Sequence, residues 1–221
     1  MVLRVADICV KVCGKENLYI ATDNKKISNV VSKNNYKVIM TSKSCLTGTD
    51  RVAEASKKIN SKIFINVQGD EPTISPKDIK KIIKAKLKNP NHVICGYDKI
   101  HKTENPFNKN IPKVVMNSKS ELIYISRSVI PGTKKKLEGD YYKQVCIYAF
   151  NKKQLYHFSK QKTKSSIEYI EDIEILRFFE LGIKIKMVKL NSNSVAVDEK
   201  SDVKKAEKVL KSYQNKKENF K

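Results

Sequence analysis

Through its N-terminal part the chain alternates short apolar runs with amphipathic stretches, a pattern that points to a layered α/β architecture. Segments 18–23, 37–41 and 63–67 read as buried strands. Between them Ile27, Val30 and Val31 place an apolar stripe on one helix, and Thr49 caps another that carries Val52, Ala55 and Ile59. Ser75-Pro76 opens a third helix with a cap residue and a first-turn proline, and Ile79, Ile82, Ile83 and Leu87 form its inner face. The expected fold is a mostly parallel, Rossmann-like sheet with helices on both faces.

Farther along the pattern changes. Segments 113–116 and 122–126 flank the turn-like 117–120, which predicts an inserted antiparallel hairpin. A strand over 145–150, a helix over 167–181 and a strand over 183–190 follow. An apolar strand at 195–197 then ends in Asp198, and a last helix runs to about residue 210. A single domain over 1–211 with a basic, frayed tail at 212–221 is expected. Residues 1–13 read as an apolar helix ending at Gly14, with no strand before it. In a parallel unit such a helix connects two strands. Two readings follow: an N-terminal strand and loop belong before it, or the helix is a genuine start.

The 221 residues include 40% apolar side chains, and the formal net charge is +22. Of 45 basic residues only Arg4, Arg51, Arg127 and Arg177 are arginines, and the lysines are spread over almost every helix and loop. A nucleic-acid surface favours clustered charge and bidentate arginine, so the basicity reads as a solvated lysine surface rather than a nucleic-acid footprint. Against that lysine background, each retained arginine marks a position that uses a planar, two-pronged donor. Cys9, Cys13, Cys45, Cys95 and Cys146 lack metal-binding spacing and read as structural thiols in a reducing compartment. His92, His101 and His157 are isolated. No apolar run is long enough to cross a bilayer and no signal pattern opens the chain, so neither membrane insertion nor export is expected and the location is cytoplasmic.

Three segments fall where open α/β sheets place ligands, in loops after strands. In Cys45-Leu46-Thr47-Gly48-Thr49-Asp50-Arg51, Gly48 lets a ligand approach the backbone, the helix N-terminus favours an anion, and Arg51 adds a bidentate donor. In Asn66-Val67-Gln68-Gly69-Asp70-Glu71-Pro72, a buried strand ends in two acids, which is costly unless something pairs with them. A divalent metal carrying phosphates would do so. Val195-Ala196-Val197-Asp198 repeats the theme, and two strand-end aspartates can share one Mg²⁺. Each segment alone also fits an ordinary turn or cap.

Together and in this order these segments resemble the 3-deoxy-manno-octulosonate cytidylyltransferases, the CMP-Kdo synthetase family. The match rests on 47–54, on Ile65-Asn66-Val67-Gln68-Gly69-Asp70-Glu71-Pro72, on Tyr124-Ile125-Ser126-Arg127-Ser128-Val129-Ile130-Pro131, and on Val197-Asp198. The resemblance implies a nucleotidyltransferase-type α/β domain, usually homodimeric, that joins a 2-keto sugar acid to CTP and releases pyrophosphate. It further implies cytidine contacts from Thr47, Gly48, Arg51 and Gln68, and Mg²⁺ held by Asp70 and Asp198 as the catalytic carboxylates. Arg127 would face the sugar carboxylate, with Gln144, Tyr148 and Glu174 lining the sugar pocket.

The chain departs from the family in four places. The opening strand and its Pro-Ala-Arg…Arg-Pro-Gly-Lys loop have no counterpart, and Cys45 stands where histidine is frequent. The His-x-Gly-Ile-Tyr motif becomes Gln144-Val145-Cys146-Ile147-Tyr148, and Glu-Gln-Leu-Arg becomes Glu174-Ile175-Leu176-Arg177. The nucleotide and metal residues are therefore better kept than the sugar contacts. Two alternatives remain beside the enzyme reading: a truncated or inactive relative, and a basic nucleic-acid-binding protein.

Overall fold

The structure, a computed structural model, describes residues 1–102, 104–134, 139–191, 194–197 and 199–218, with side chains as far as residue 211. The chain forms two compact units, each assembled from separated segments. The first comprises 1–40, 67–80 and 191–221; the second comprises 41–66 and 81–190.

In the first unit α1 (Val2–Cys13) ends at Gly14, whose φ of 76° suits glycine, and buries Val5, Ala6, Ile8 and Cys9. β1 (Tyr19–Thr22) and β2 (Lys37–Met40) pair in parallel, joined by α2 (Lys25–Lys33). Asn24 caps α2 by accepting from the N–H groups of Lys26 and Ile27. The stripe expected on α2 is only partly inward: Val31 is buried, but Ile27 and Val30 are 38% and 46% exposed. The helical period was read correctly, whereas the two-stranded sheet buries only part of that face. The expected strand at 195–197 is absent. Its backbone is held by individual bonds instead, since Val195 N–H donates to Thr73 Oγ1 at 2.7 Å and Val197 N–H donates to the Asp70 carbonyl at 2.9 Å. The last helix, α8 (Lys200–Glu218), continues past residue 210 into the segment expected to fray.

The second unit carries the larger core. α3 (Gly48–Ser56) and β3 (Ile63–Val67) precede α4 (Pro76–Lys88), which opens on its proline as expected and runs from the first unit into the second. Then come β4 (Val93–Lys99), β5 (Lys113–Met116), β6 (Leu122–Ser126), β7 (Tyr142–Asn151), α5 (Lys152–Ser159), α6 (Ser166–Glu171), α7 (Ile175–Glu180) and β8 (Ile185–Lys189). The sheet order is β6-β5-β7-β4-β8, with β3 also on β7. Pairing is mixed rather than mostly parallel. β4–β8 is parallel, while β4–β7, β5–β7 and the predicted β5–β6 hairpin are antiparallel. Phe150, Leu155, Phe158, Ile175, Leu176 and Phe178 are fully buried in its core.

Two details correct the sequence reading. Leu87, expected inside α4, is 65% exposed, and Lys86 takes the buried position next to it. The Lys86 ammonium donates to the carbonyls of Pro90 and His92 and to Gln154 Oε1 at 3.0, 2.6 and 2.8 Å, so its three donors close the end of the helix. The helix expected over 167–181 is broken at Asp172, which adopts φ 50° and ψ 50°. Arg127 supplies the reason: it donates to the carbonyls of Glu171 and Asp172, replacing the helical donors those groups would otherwise need.

No helix among the described residues is long and apolar enough to cross a membrane. None of the five cysteines is in a disulfide, and burial pushes the Cys9 and Cys95 thiols up to about 12, as suits inert structural thiols.

Gly96 sits at the register shift between β4 and β7, where a Cβ would lie 2.6 Å from Leu190 Cδ1 and 3.1 Å from the Val145 carbonyl oxygen. Gly96→Ala is expected to lower stability by about 1–3 kcal/mol in denaturant titration. Burial holds the Lys86 pKa down to about 8 from 10.5. Between those values the unfolded chain binds more protons, so stability contributed at this position rises as pH increases through that window. The wild type should gain stability from pH 8 to 10 relative to Lys86→Met; parallel pH profiles would refute this.

Candidate active site

The loop 41–47 and the first turn of α3 are organised by hydrogen bonds that leave little slack. Thr47, rather than the expected Thr49, is the N-cap, accepting from Asp50 N–H at 3.2 Å and donating to Asp50 Oδ2 at 2.8 Å. Gly48 is the first helical residue. Arg51 Nη1 donates to Thr41 Oγ1 at 2.7 Å, fastening the helix to the start of the preceding loop. Glu54 accepts from Ser42 N–H, and Cys45 Sγ lies 3.4 Å from the same carboxylate. Burial first and Glu54 second push the Cys45 thiol up to about 11.

The N-terminus of α3 was expected to favour a ligand anion. The chain supplies its own: Thr49 N–H donates to Glu174 Oε2 at 2.7 Å. Glu174 is buried, and desolvation raises its pKa against the opposing pull of the Thr49 hydrogen bond. Asp50 is gripped in turn by Arg177, through Nη1 at 2.7 Å and Nη2 at 3.2 Å.

Gln144 and Tyr148 sit on β7, both buried, with Gln144 Nε2 donating to the Tyr148 hydroxyl at 3.0 Å. Burial, reinforced by the Glu174 carboxylate, raises the Tyr148 pKa well above 10, so the phenol stays protonated. Thr47, Gly48, Arg51, Gln144, Tyr148 and Glu174 thus belong to one unit, with Glu174 joined to the α3 turn and electrostatically coupled to Tyr148.

Arg127, in the same unit, is 32% exposed through its side chain. Its Nε, Nη1 and Nη2 donate to the carbonyls of Glu171, Lys109 and Asp172 at 2.6, 3.0 and 3.0 Å. These carbonyls engage three of the five N–H donors, one on each nitrogen, and Nη2 also lies 4.0 Å from Asp172 Oδ2. Glu171 completes the knot by accepting from Arg127 N–H and the Ser126 hydroxyl.

Gln68 and Asp70 lie in the first unit. Their loop is tied from several directions: Arg4 Nε donates to the Pro72 carbonyl at 2.7 Å, the Ser194 hydroxyl donates to Glu71, and Val197 N–H donates to the Asp70 carbonyl. Asp198 lies outside the described residues, but its neighbour Val197 is bonded to the backbone of Asp70. Among the described residues no three His, Cys, Asp or Glu side chains gather as a metal cage.

Arg177 and Glu168 were not among the expected site residues. The retention of Arg177 in a lysine-rich chain was the signal for the first. Glu168, in an otherwise ordinary helix start, gave none.

Comparison with known proteins agrees with the motifs. A family model described as cytidylyltransferase matches residues 1–185. The 3-deoxy-manno-octulosonate cytidylyltransferase of Bacteroides thetaiotaomicron is 35% identical, over 89% of this chain and 82% of its own. The 8-amino-3,8-dideoxy-manno-octulosonate cytidylyltransferase of Shewanella baltica is 32% identical over 89% and 82%. A solved CMP:2-keto-3-deoxy-manno-octonic acid synthetase, in complex with CTP, superposes with a TM-score of 0.86 at 29% identity, over 96% of this chain and 88% of its own.

Thr47→Ala removes the cap of α3 and is expected to cost about 0.5–2 kcal/mol in denaturant titration. A loss near zero would mean that Glu174 and Arg177 hold this turn unaided.

Proposed function

This chain belongs to the cytidylyltransferase family, as a nucleotidyltransferase of the CMP-Kdo synthetase group, and from that premise we propose that it activates a 2-keto octulosonate with CTP, for surface-glycan synthesis in the cytoplasm. The anomeric hydroxyl of the sugar attacks the α-phosphorus; a P–O bond forms to the sugar, the bond to the β-phosphate oxygen breaks, and pyrophosphate leaves. The hydroxyl proton passes to solvent. Thr47, Gly48, Arg51 and Gln68 are assigned to the cytidine part, and Arg127, Gln144, Tyr148 and Glu174 to the sugar.

The single observation that carries the sugar-acid reading is the state of Arg127. Backbone carbonyls hold it in place with one N–H on each terminal nitrogen outside those bonds, and its ion-pair neighbour, Asp172, is an exposed carboxylate 4.0 Å from Nη2; a sugar carboxylate would take up the same two donors as a two-pronged partner. Gln144 supports it by donating to Tyr148 from the position where the family has histidine.

Mg²⁺ suits the donor chemistry, because Asp70 and Asp198 offer only oxygens and Val197 N–H ties the second segment to the backbone of Asp70. A cation carried by a triphosphate requires only one or two protein carboxylates. When bound it would neutralise phosphate charge at the reacting centre. The protein's part is positioning: Arg4, Thr73 and Glu71 fix the loop that presents Asp70. Assembly as a homodimer is part of the same proposal.

The names of the relatives differ at position 8 of the sugar, amino against hydroxyl, so a panel must contain both. Pyrophosphate release should require CTP, Mg²⁺ and one of these octulosonates, and should stop with EDTA. Asp70→Asn should lower kcat by roughly 100-fold or more, since a lost ligand removes several kcal/mol of charge stabilisation. No release with any 2-keto sugar acid would overturn the proposal.

A further inference from the structure

We propose that Arg177 is a positioning residue for the nucleotide loop: from α7 it fixes the first turn of α3, and so the placement of Thr47, Gly48 and Arg51. This inference rests on the function proposed above, which assigns that loop to CTP.

The Arg177 side chain is fully enclosed and forks twice. Nε and Nη2 donate to the two oxygens of Glu168 on α6 at 2.6 and 2.7 Å, while Nη1 and Nη2 donate to the two oxygens of Asp50 on α3 at 2.7 and 3.2 Å. Its face packs over the Phe158 ring, 3.8 Å from the centroid, so the guanidinium plane cannot rotate without losing a carboxylate. Glu168 is fixed independently by accepting from Ser165 N–H at 3.0 Å. Helix α3 has nine residues, too few to hold its geometry alone in water.

The second anchor lies one turn earlier. Glu174, the N-cap of α7, accepts from Thr49 N–H, and Arg177 binds Asp50. Two successive residues of α3 are therefore held from two positions one turn apart on α7, which sets both the location and the rotation of the loop-bearing turn. The charges make the attachment obligatory. Asp50, Glu168 and Glu174 converge on this helix end, and Arg177 is the cation that pairs with the first two. Without it three carboxylates share a buried site with the partial positive end of a short helix. Lysine cannot replace it, because a point charge offers no double fork.

The test measures CTP affinity directly by titration calorimetry, together with kcat at saturating CTP, on the full-length protein. Asp50→Asn keeps the shape and removes one charge of the pair, and Arg177→Lys removes the fork. Lys86→Met serves as an equally buried lesion of the same unit outside the loop. Both loop-clamp variants should raise the CTP dissociation constant about tenfold or more, as expected for a shifted binding group, with kcat at saturation within about threefold of wild type. Lys86→Met should lower the unfolding temperature and leave CTP affinity unchanged. If Arg177→Lys fails to fold, Asp50→Asn alone decides. Wild-type CTP binding with unaltered affinity in Asp50→Asn overturns the inference, as does an equal loss in Lys86→Met. A wild type that binds no CTP overturns the function reading, and with it this role.

Discussion

A single guanidinium, shielded from water, ties together three helices of the larger unit. Arg177 on α7 reaches Glu168 on α6 and Asp50 on α3, and rests on Phe158 from α5. Burying these charges is costly, and the cost is offset only because four charge-assisted hydrogen bonds are made at once. An arrangement of this kind tolerates few intermediate geometries. The loop carrying Thr47, Gly48 and Arg51 inherits that stiffness, as does Glu174, which sits between the clamp and the Tyr148–Gln144 pair.

The arginines explain why part of the site could be read from the sequence. In a chain where lysine supplies most of the positive charge, all four arginines donate to specific partners: Arg4 to Pro72, Arg51 to Thr41, Arg127 to three carbonyls and Arg177 to two carboxylates. Only the last uses the fork on carboxylates within the described residues, and like Arg4 it was given no role in the sequence reading. Arg127 was assigned to a ligand, yet its visible work is to end α6. That function depends on a long-range contact between the residue that follows β6 and the end of α6, which no local pattern records.

The element order was legible because strand and helix periods are local properties. α1, β1, β2, the β5–β6 hairpin and the proline start of α4 follow the reading closely. What failed was settled by neighbours. Ile27 and Val30 have helical spacing but meet a sheet of two strands, and Leu87 yields the interior to Lys86 because three acceptors stand ready for an ammonium. Asp172 interrupts a smooth apolar repeat because another chain segment satisfies the carbonyls. The mixed pairing of the sheet was hidden for a related reason: a buried strand shows the same apolar run whichever direction its neighbour takes.

The first unit has an unusual order of assembly. Its pieces, 1–40, 67–80 and 191–221, are separated by everything that builds the second. The bonds from Val195 and Val197 to Thr73 and Asp70 close the chain around the whole of residues 81–190. On a ribosome the Asp70 loop emerges early with its Arg4 contact available, but the partners at 194, 195 and 197 follow only after the second unit has been synthesised. Its acidic turn therefore gains these restraints only after every segment of the second unit has been made, so a nascent chain that stops short of residue 195 presents the turn without them.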